Sequence, residues 1–410
     1  MNPQSVAIFG GEWADEVVRQ LRRCRYHGKV WRVHPRARSV EGAVSFTAIG
    51  ELPHAPDAAT NPDEEAVLSR ITTAAADHER RGVPRSVMDQ LSAIGWLGPV
   101  AAAPQQRERA ERLAMADTAV WFCWSQHQSP LRLLQASTNE PLKARWLDRL
   151  ATGTAVGATA FAHLRRPGTA NPVASVCSDG WELQGQLDWI TGWDLADVIA
   201  LQVRTGQDPE ASVLALLIDK QAQASLPRGL TAEPPLQLMA MGGTWSRPVH
   251  LDHCPIPASW VLGTTPIAAW TKADQARTRL ANPAAFGLIR AALGDLLLQA
   301  QHRRAEGWIT TAQTLVEEAS ELRRRCYAAA DHPDSLSDKA HHDLRAAALA
   351  LAERCCRAAL VSHAGGALRD GHPSGRRLRE ALFLQVQALI TPVQDRLITG
   401  QGTADQFKPN

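Results

Sequence analysis

The spacing of hydrophobic and polar positions changes texture three times along the chain. Ser5-Val-Ala-Ile-Phe9 has a strand pattern ending at Gly10-Gly11. Trp13 to Tyr26 carries apolar residues at helical spacing, and Lys29-Val-Trp-Arg-Val33 is a second strand. From about 60 to 155 the helical period dominates, over Ala66–Arg81, Ser86–Ile94 (stopped by Gly95), Arg107–Ala116, Trp121–Leu134 and Glu140–Leu150. Residues 156–262 switch to short apolar runs punctuated by Gly and Pro. These predict strands over Val156–Ala162, Trp181–Leu183, Leu187–Thr191, Val198–Arg204, Ser212–Asp219 and Arg247–Leu251, with a turn at Gly185. Helical spacing returns at 263 and runs through 272–308, 309–330, 337–364 and 373–398, before a polar tail at 401–410. The domains read from this are 1–58, 59–155, 156–262 and 263–400.

Composition adds exclusions. The 410 residues suffice for several domains, and 45% hydrophobic with 21% charged is ordinary for a globular chain. A net charge of +2 gives no reason to expect nucleic acid as a partner. There is neither a secretory leader pattern nor an apolar run near the roughly 20 residues of a membrane helix, so no membrane partner is expected. The seven cysteines are scattered and form no Cys-x-x-Cys pair, which fits a reducing, cytoplasmic setting. The adjacent His341 and His342 point to different sides of a helix with no acid at ligand spacing, so no metal site is expected. No Gly-x-Ser-x-Gly or phosphate-binding Walker loop is present.

One segment points to a ligand. In Trp181-Glu-Leu-Gln-Gly-Gln-Leu-Asp-Trp-Ile-Thr-Gly192, an indole and a hydroxyl at a strand end can wall and hydrogen-bond a flat heteroaromatic ring. The segment resembles the flavin-facing Gly-x-x-x-Trp-Ile-Thr-Gly/Asn stretch of the acyl-CoA dehydrogenase family. Leu91-Ser-Ala-Ile-Gly-Trp-Leu-Gly98, Asn139–Gly153 and His250–Gly263 resemble further family segments in the same order, so the resemblance covers about 60 to 400. It implies N-terminal helices, a middle β domain and a C-terminal four-helix bundle. In front of these, the β-α-β pattern with Val30–Pro35, Val40-Glu-Gly42 and Leu52–Asp57 resembles part of the Rossmann-like CoA-binding domain of nucleotide-forming acyl-CoA synthetases. That match ends at the strand beginning at Pro56.

The resemblance implies FAD as cofactor, an acyl thioester on CoA or a carrier protein as substrate, and a homo-oligomer, dimer or tetramer. Flavin-contacting positions carried over are Phe161, Leu164, Trp189, Thr191, Arg303, Gly365 and Gly366. The family's Thr-Glu-Pro-x-x-Gly-Ser-Asp loop is replaced by Phe161-Ala-His-Leu-Arg-Arg-Pro-Gly168, where Leu164 or Arg165 stands for the flavin-facing hydroxyl and two arginines could meet an anion. Arg303 keeps the register of the family's Arg-x-x-Phe-Gly motif, with Glu306 in place of Phe. The family's α-proton acceptor is a Glu on the last bundle helix. Counting from Gly365-Gly366, Pro373 and Arg379-Glu380, that position is Ala388, and a methyl group accepts no proton. An alternative base register near Arg277 also lacks an acid, and Glu380 reads as a structural ion pair. These features imply a flavoprotein of weakened or altered α,β-dehydrogenation. The alternatives are a flavin monooxygenase of the same fold and a silent acyl-binding or assembly subunit.

Overall fold

The computed structural model describes residues 5–9, 12–23, 26, 28–33, 43–46, 58–59, 62–99, 102–166, 171–208, 210–220 and 227–400. The Gly10-Gly11 turn, Val40-Glu-Gly42, Leu52–Asp57, Pro167-Gly168 and the 401–410 tail lie outside the described residues. The chain divides into two compact units, 1–70 and 71–410.

In the first unit, β1 (Ser5–Phe9), α1 (Glu12–Arg23) and β2 (Lys29–Val33) form the β-α-β order read from the sequence. With β3 (Val44–Phe46) and β4 (Ala58–Ala59) the strands pair in parallel in the order β3-β2-β1-β4. Ile8, Val18 and Val30 form the buried centre, and Arg32 reaches Asp15 on α1.

α2 (Pro62–Arg81) spans the boundary between the units, and the second unit continues with α3 (Arg85–Ala93), α4 (Ala103–Ala116), α5 (Thr118–Ala136) and α6 (Glu140–Ala151). The β domain follows: β5 (Gly157–Ala160), β6 (Val173–Cys177), β7 (Gly180–Ile190), β8 (Val198–Arg204), β9 (Ser212–Asp219), β10 (Leu230–Ala232), β11 (Arg247–Pro257) and β12 (Val261–Pro266). Their order is β10-β11-β7-β6-β8-β9-β12, with β5 parallel to β8. β8 is an almost unbroken apolar run because both of its faces are covered. Ile199, Leu201 and Val203 enter the core of the sheet, whereas Val198 and Ala200 pack with Leu131, Leu134, Trp146 and Leu150 of α5 and α6.

The predicted turn at Gly185 is a kink within one continuous strand, β7. Gly185 takes φ +133°, and a Cβ there would stand 2.7 Å from the Pro172 backbone. The register against β11 slips at the same level, between Leu251 and Cys254, so the glycine marks a bulge rather than a reversal.

The C-terminal helices are α7 (Ile267–Thr278), α8 (Pro283–His302), α9 (Glu306–Asp331), α10 (Asp338–Ser362), α11 (Pro373–Val386) and α12 (Thr391–Thr399). The stretch 272–308, read as one helix, is interrupted where Asn282 caps α8 with Pro283 at its first position, and again at Arg304, which is left-handed at φ +51°. α8 lies tightly on α4, since a Cβ on Gly287 would stand 2.3 Å from the Glu111 carbonyl oxygen. Beside that contact the buried Glu111 carboxylate accepts from Arg323 Nε at 2.6 Å, from Arg290 Nη1 at 3.2 Å and from the Tyr327 hydroxyl. Among the described residues no helix is long and apolar enough to cross a membrane.

A buried histidine ties the β domain into this frame. His127 on α5 accepts from the Gly157 amide at Nδ1 (3.0 Å) and donates from Nε2 to the Leu150 carbonyl (3.1 Å). Burial depresses both His127 and His163 from 6.5 to about 4, so the folded protein holds them neutral. The unfolded chain binds their protons below about 6.5 and the folded one does not, so stability falls as pH drops through that window. The unfolding free energy should fall by roughly 1 kcal/mol per pH unit for each histidine between pH 6.5 and 5. Urea melts across that range should show the fall, and a shallower one in His127→Gln.

Candidate functional site

Where the β domain faces the helices, a cleft of about 770 Å³ opens. Its sheet wall is built from Thr159 to Ala162 at the end of β5 and from Trp189 and Thr191 at the end of β7. Phe122 and Gln126 of α5 line it on the helical side, with Leu382 to Leu389 at the end of α11. The loop carrying Leu238, Met239 and Met241 forms a third edge. The size suits a drug-sized or cofactor-sized ligand, and apolar walls with few polar groups are the usual make-up of such sites.

The polar groups on the sheet wall are hydroxyls. Thr191 Oγ1 lies 3.1 Å from Ser246 Oγ, which lies 3.0 Å from Thr244 Oγ1, and Thr244 donates to the Met241 carbonyl at 2.8 Å. All three side chains are buried, whereas the Trp189 indole is 49% exposed along the cleft. The turn Gly242–Thr244 that delivers Thr244 is flanked by two left-handed residues, Met241 at φ +63° and Trp245 at φ +42°. For bulky L-residues such backbone is costly, about 1–3 kcal/mol each, and persists only where the surroundings enforce it.

The two arginines read as anion ligands both have carboxylate partners. Arg165 meets buried Asp274 in a bidentate pair at 2.7 and 2.8 Å, and Arg277 adds a third contact to the same carboxylate at 3.2 Å. Arg166 pairs with Asp188. The Arg165 guanidinium lies over the Phe161 ring at 5.1 Å, and Phe161 meets Trp270 edge-on at 6.3 Å.

Position 388 departs from the helical expectation for 373–398. α11 ends at Val386, Ala388 is left-handed at φ +50°, and α12 begins only at Thr391. The cause is Arg345 of α10. Its Nη2 donates to the Gln387 and Ala388 carbonyls, both at 3.0 Å, and its Nη1 to the Thr278 carbonyl. This guanidinium takes over carbonyls at the end of the helix and fixes the turn. Arg345 is buried, which lowers its pKa to about 10, and it stays cationic at neutral pH.

Of the residues singled out from the sequence, the cleft brings together Phe161, Trp189, Thr191, Arg165, Arg166 and Ala388. Leu164, Arg303, Gly365 and Gly366 are not among its lining. Arg303 caps the end of α8, exposed over the Trp308 ring at 5.7 Å, and Gly365-Gly366 lie in the turn after α10. Among the described lining residues there is no carboxylate, imidazole or thiol. Ser246, Asp274 and Arg345 were missed in the sequence, since each matters through a partner distant along the chain, and Thr244 was missed because it reaches Thr191 only through Ser246.

Neither a protein-family model nor a curated protein sequence matches the chain. Solved structures do. Butyryl-CoA dehydrogenase from Megasphaera elsdenii is 17% identical, with a TM-score of 0.66 over 83% of this chain and 98% of its own. An acyl-CoA dehydrogenase from Geobacillus kaustophilus gives 15% identity and a TM-score of 0.66 over the same shares. The FAD complex of PigA gives 17% and 0.65, again over 83% and 98%. The fold is that of the acyl-CoA dehydrogenases: N-terminal helices, a middle β domain and a C-terminal helical bundle.

Proposed function

We propose that this chain is a flavoprotein of the acyl-CoA dehydrogenase type, holding FAD and an acyl thioester in the cleft, with α,β-dehydrogenation weakened or altered. The observation that carries this reading is the cleft itself. It is large enough for a tricyclic ring, has an indole and a row of hydroxyls on its sheet wall, and offers Ala388 where a proton acceptor would stand. Bound flavin would supply a two-electron acceptor. The chain's own part is to wall a flat ring with Trp189 and Phe161, offer Thr191 to its polar edge, and face an apolar acyl group with Phe122 and Phe383, whose rings meet edge-on at 5.1 Å. Arg303, Gly365 and Gly366, exposed outside the lining, would serve the cofactor at a contact between copies in a dimer or tetramer. Residues 1–58 fit a remnant of a CoA-binding domain, supported by their parallel β-α-β order.

A lining without carboxylate, imidazole or thiol also favours a second reading, a flavin monooxygenase of this fold, whose chemistry needs no α-proton abstraction. The visible spectrum of the purified protein decides first. A yellow protein with bound FAD supports both enzyme readings, and a colourless one that refuses added FAD replaces them with an acyl-binding subunit. Anaerobic bleaching by an acyl-CoA supports the dehydrogenase. Bleaching only by an added reductant, followed by oxygenation of substrate in air, supports the monooxygenase.

A further inference from the structure

The three buried hydroxyls beside the cleft can share their protons in only one direction. Each hydroxyl has one proton to give. Thr244 gives its proton to the Met241 carbonyl at 2.8 Å, because a carbonyl oxygen cannot donate. Its 3.0 Å contact with Ser246 must then be a bond donated by Ser246. Ser246 has no proton left for Thr191, so their 3.1 Å contact is donated by Thr191. Any other assignment leaves two oxygens facing each other without a proton in a buried site, which is costly. The relay therefore runs Thr191 to Ser246 to Thr244 to the Met241 carbonyl. Thr191, with its proton committed inward, presents only lone pairs to the cleft it lines.

We infer that Ser246 and Thr244 are positioning residues that make Thr191 a hydrogen-bond acceptor only, so that the cleft favours the reduced form of a flavin ring. This rests on the flavin reading above. Oxidised flavin has bare lone pairs at N1 and N5. Two electrons and two protons convert these to N–H groups, giving the ring donors that an acceptor-only Thr191 can meet. Facing the oxidised ring's bare nitrogens, the same oxygen is repelled. The strained residues on either side of the turn, Met241 and Trp245, hold the carbonyl and the hydroxyl that set the direction of the relay.

The test is the midpoint potential of the FAD-loaded protein, titrated with dithionite against a reference dye. Ser246→Ala removes the acceptor for Thr191's proton and frees it to point into the cleft. Thr244→Val has the same effect one step along, by releasing the Ser246 proton toward Thr191. Each should lower the preference for reduced over oxidised flavin about tenfold, a fall of about 30 mV. Thr191→Val should also lower it, whereas Thr191→Ser, which keeps the hydroxyl, should hold the wild-type potential. An unmoved midpoint in flavin-loaded Ser246→Ala and Thr244→Val overturns the inference and leaves the flavin reading standing. A wild-type protein that takes up no FAD instead brings down the flavin reading, and this inference with it.

Discussion

Replacing Ala388 by glutamate is expected to raise the rate at which an acyl-CoA bleaches the bound flavin under argon by about 100-fold or more. A positioned general base contributes typically about 10²–10⁴-fold, or roughly 3 kcal/mol and upward of barrier. Three features of the turn favour the result. Ala388 lines the cleft, so a longer side chain from the same Cβ starts at the ligand. Its left-handed backbone is already occupied by an L-residue, so the change adds little backbone cost. Its carbonyl is fixed by Arg345, a buried cation that would help keep a nearby carboxylate ionised at neutral pH. Ala388→Gln, with similar bulk and no basicity, is the control. A flavin-loaded Ala388→Glu protein that bleaches no faster than Ala388→Gln would show that the thioester does not lie against this turn.

How much of this could be read from the chain depends on whether the determining contacts are local. β8 and β9 were legible to the residue because an apolar run between turn residues carries its own signal. That Trp189 and Thr191 share the cleft was legible for a related reason: indole and hydroxyl sit two residues apart at one strand end. The Gly185 kink was not, because the same glycine serves a reversal or a bulge. What decides is the Pro172 backbone crossing it and the slipped register opposite. The end of α11 was hidden more thoroughly. Phe383 to Ile390 keeps an apolar helical pattern, yet a guanidinium 43 positions away in sequence takes the Ala388 carbonyl. Likewise Ser246 meets Thr191 across 55 positions, so the sequence disclosed the hydroxyl at the cleft but not the relay that aims it.

Glu380→Gln is expected to destabilise the protein by about 3–5 kcal/mol while leaving any chemistry per folded molecule unchanged. Glu380 is the nearest carboxylate preceding Ala388 in the sequence and shares the predicted helical stretch 373–398 with it, which makes it the obvious candidate for a relocated proton acceptor. Its surroundings argue for another role. It is buried, accepts from Arg376 Nη1 at 2.6 Å and from the Thr118 hydroxyl at 2.9 Å, and is absent from the lining of the cleft. Burial, with the Asp117 carboxylate beside it, holds its carboxyl above the usual range, and the contacts from Arg376 and Thr118 oppose that rise and offset part of the cost of burying the group. Arg379, its neighbour in the family-like pair, reaches away to Glu79 at 2.5 Å. Taking the charge from Glu380 leaves the guanidinium of Arg376 buried without its partner, the situation in which one half of a buried pair is most expensive. Urea unfolding should show a lower midpoint with an unchanged slope. A double variant, Glu380→Leu with Arg376→Met, should lose less than the sum of its single variants, because no unpaired charge remains. Loss of acyl-CoA bleaching in Glu380→Gln with stability intact would reverse the assignment and make this carboxylate the proton acceptor.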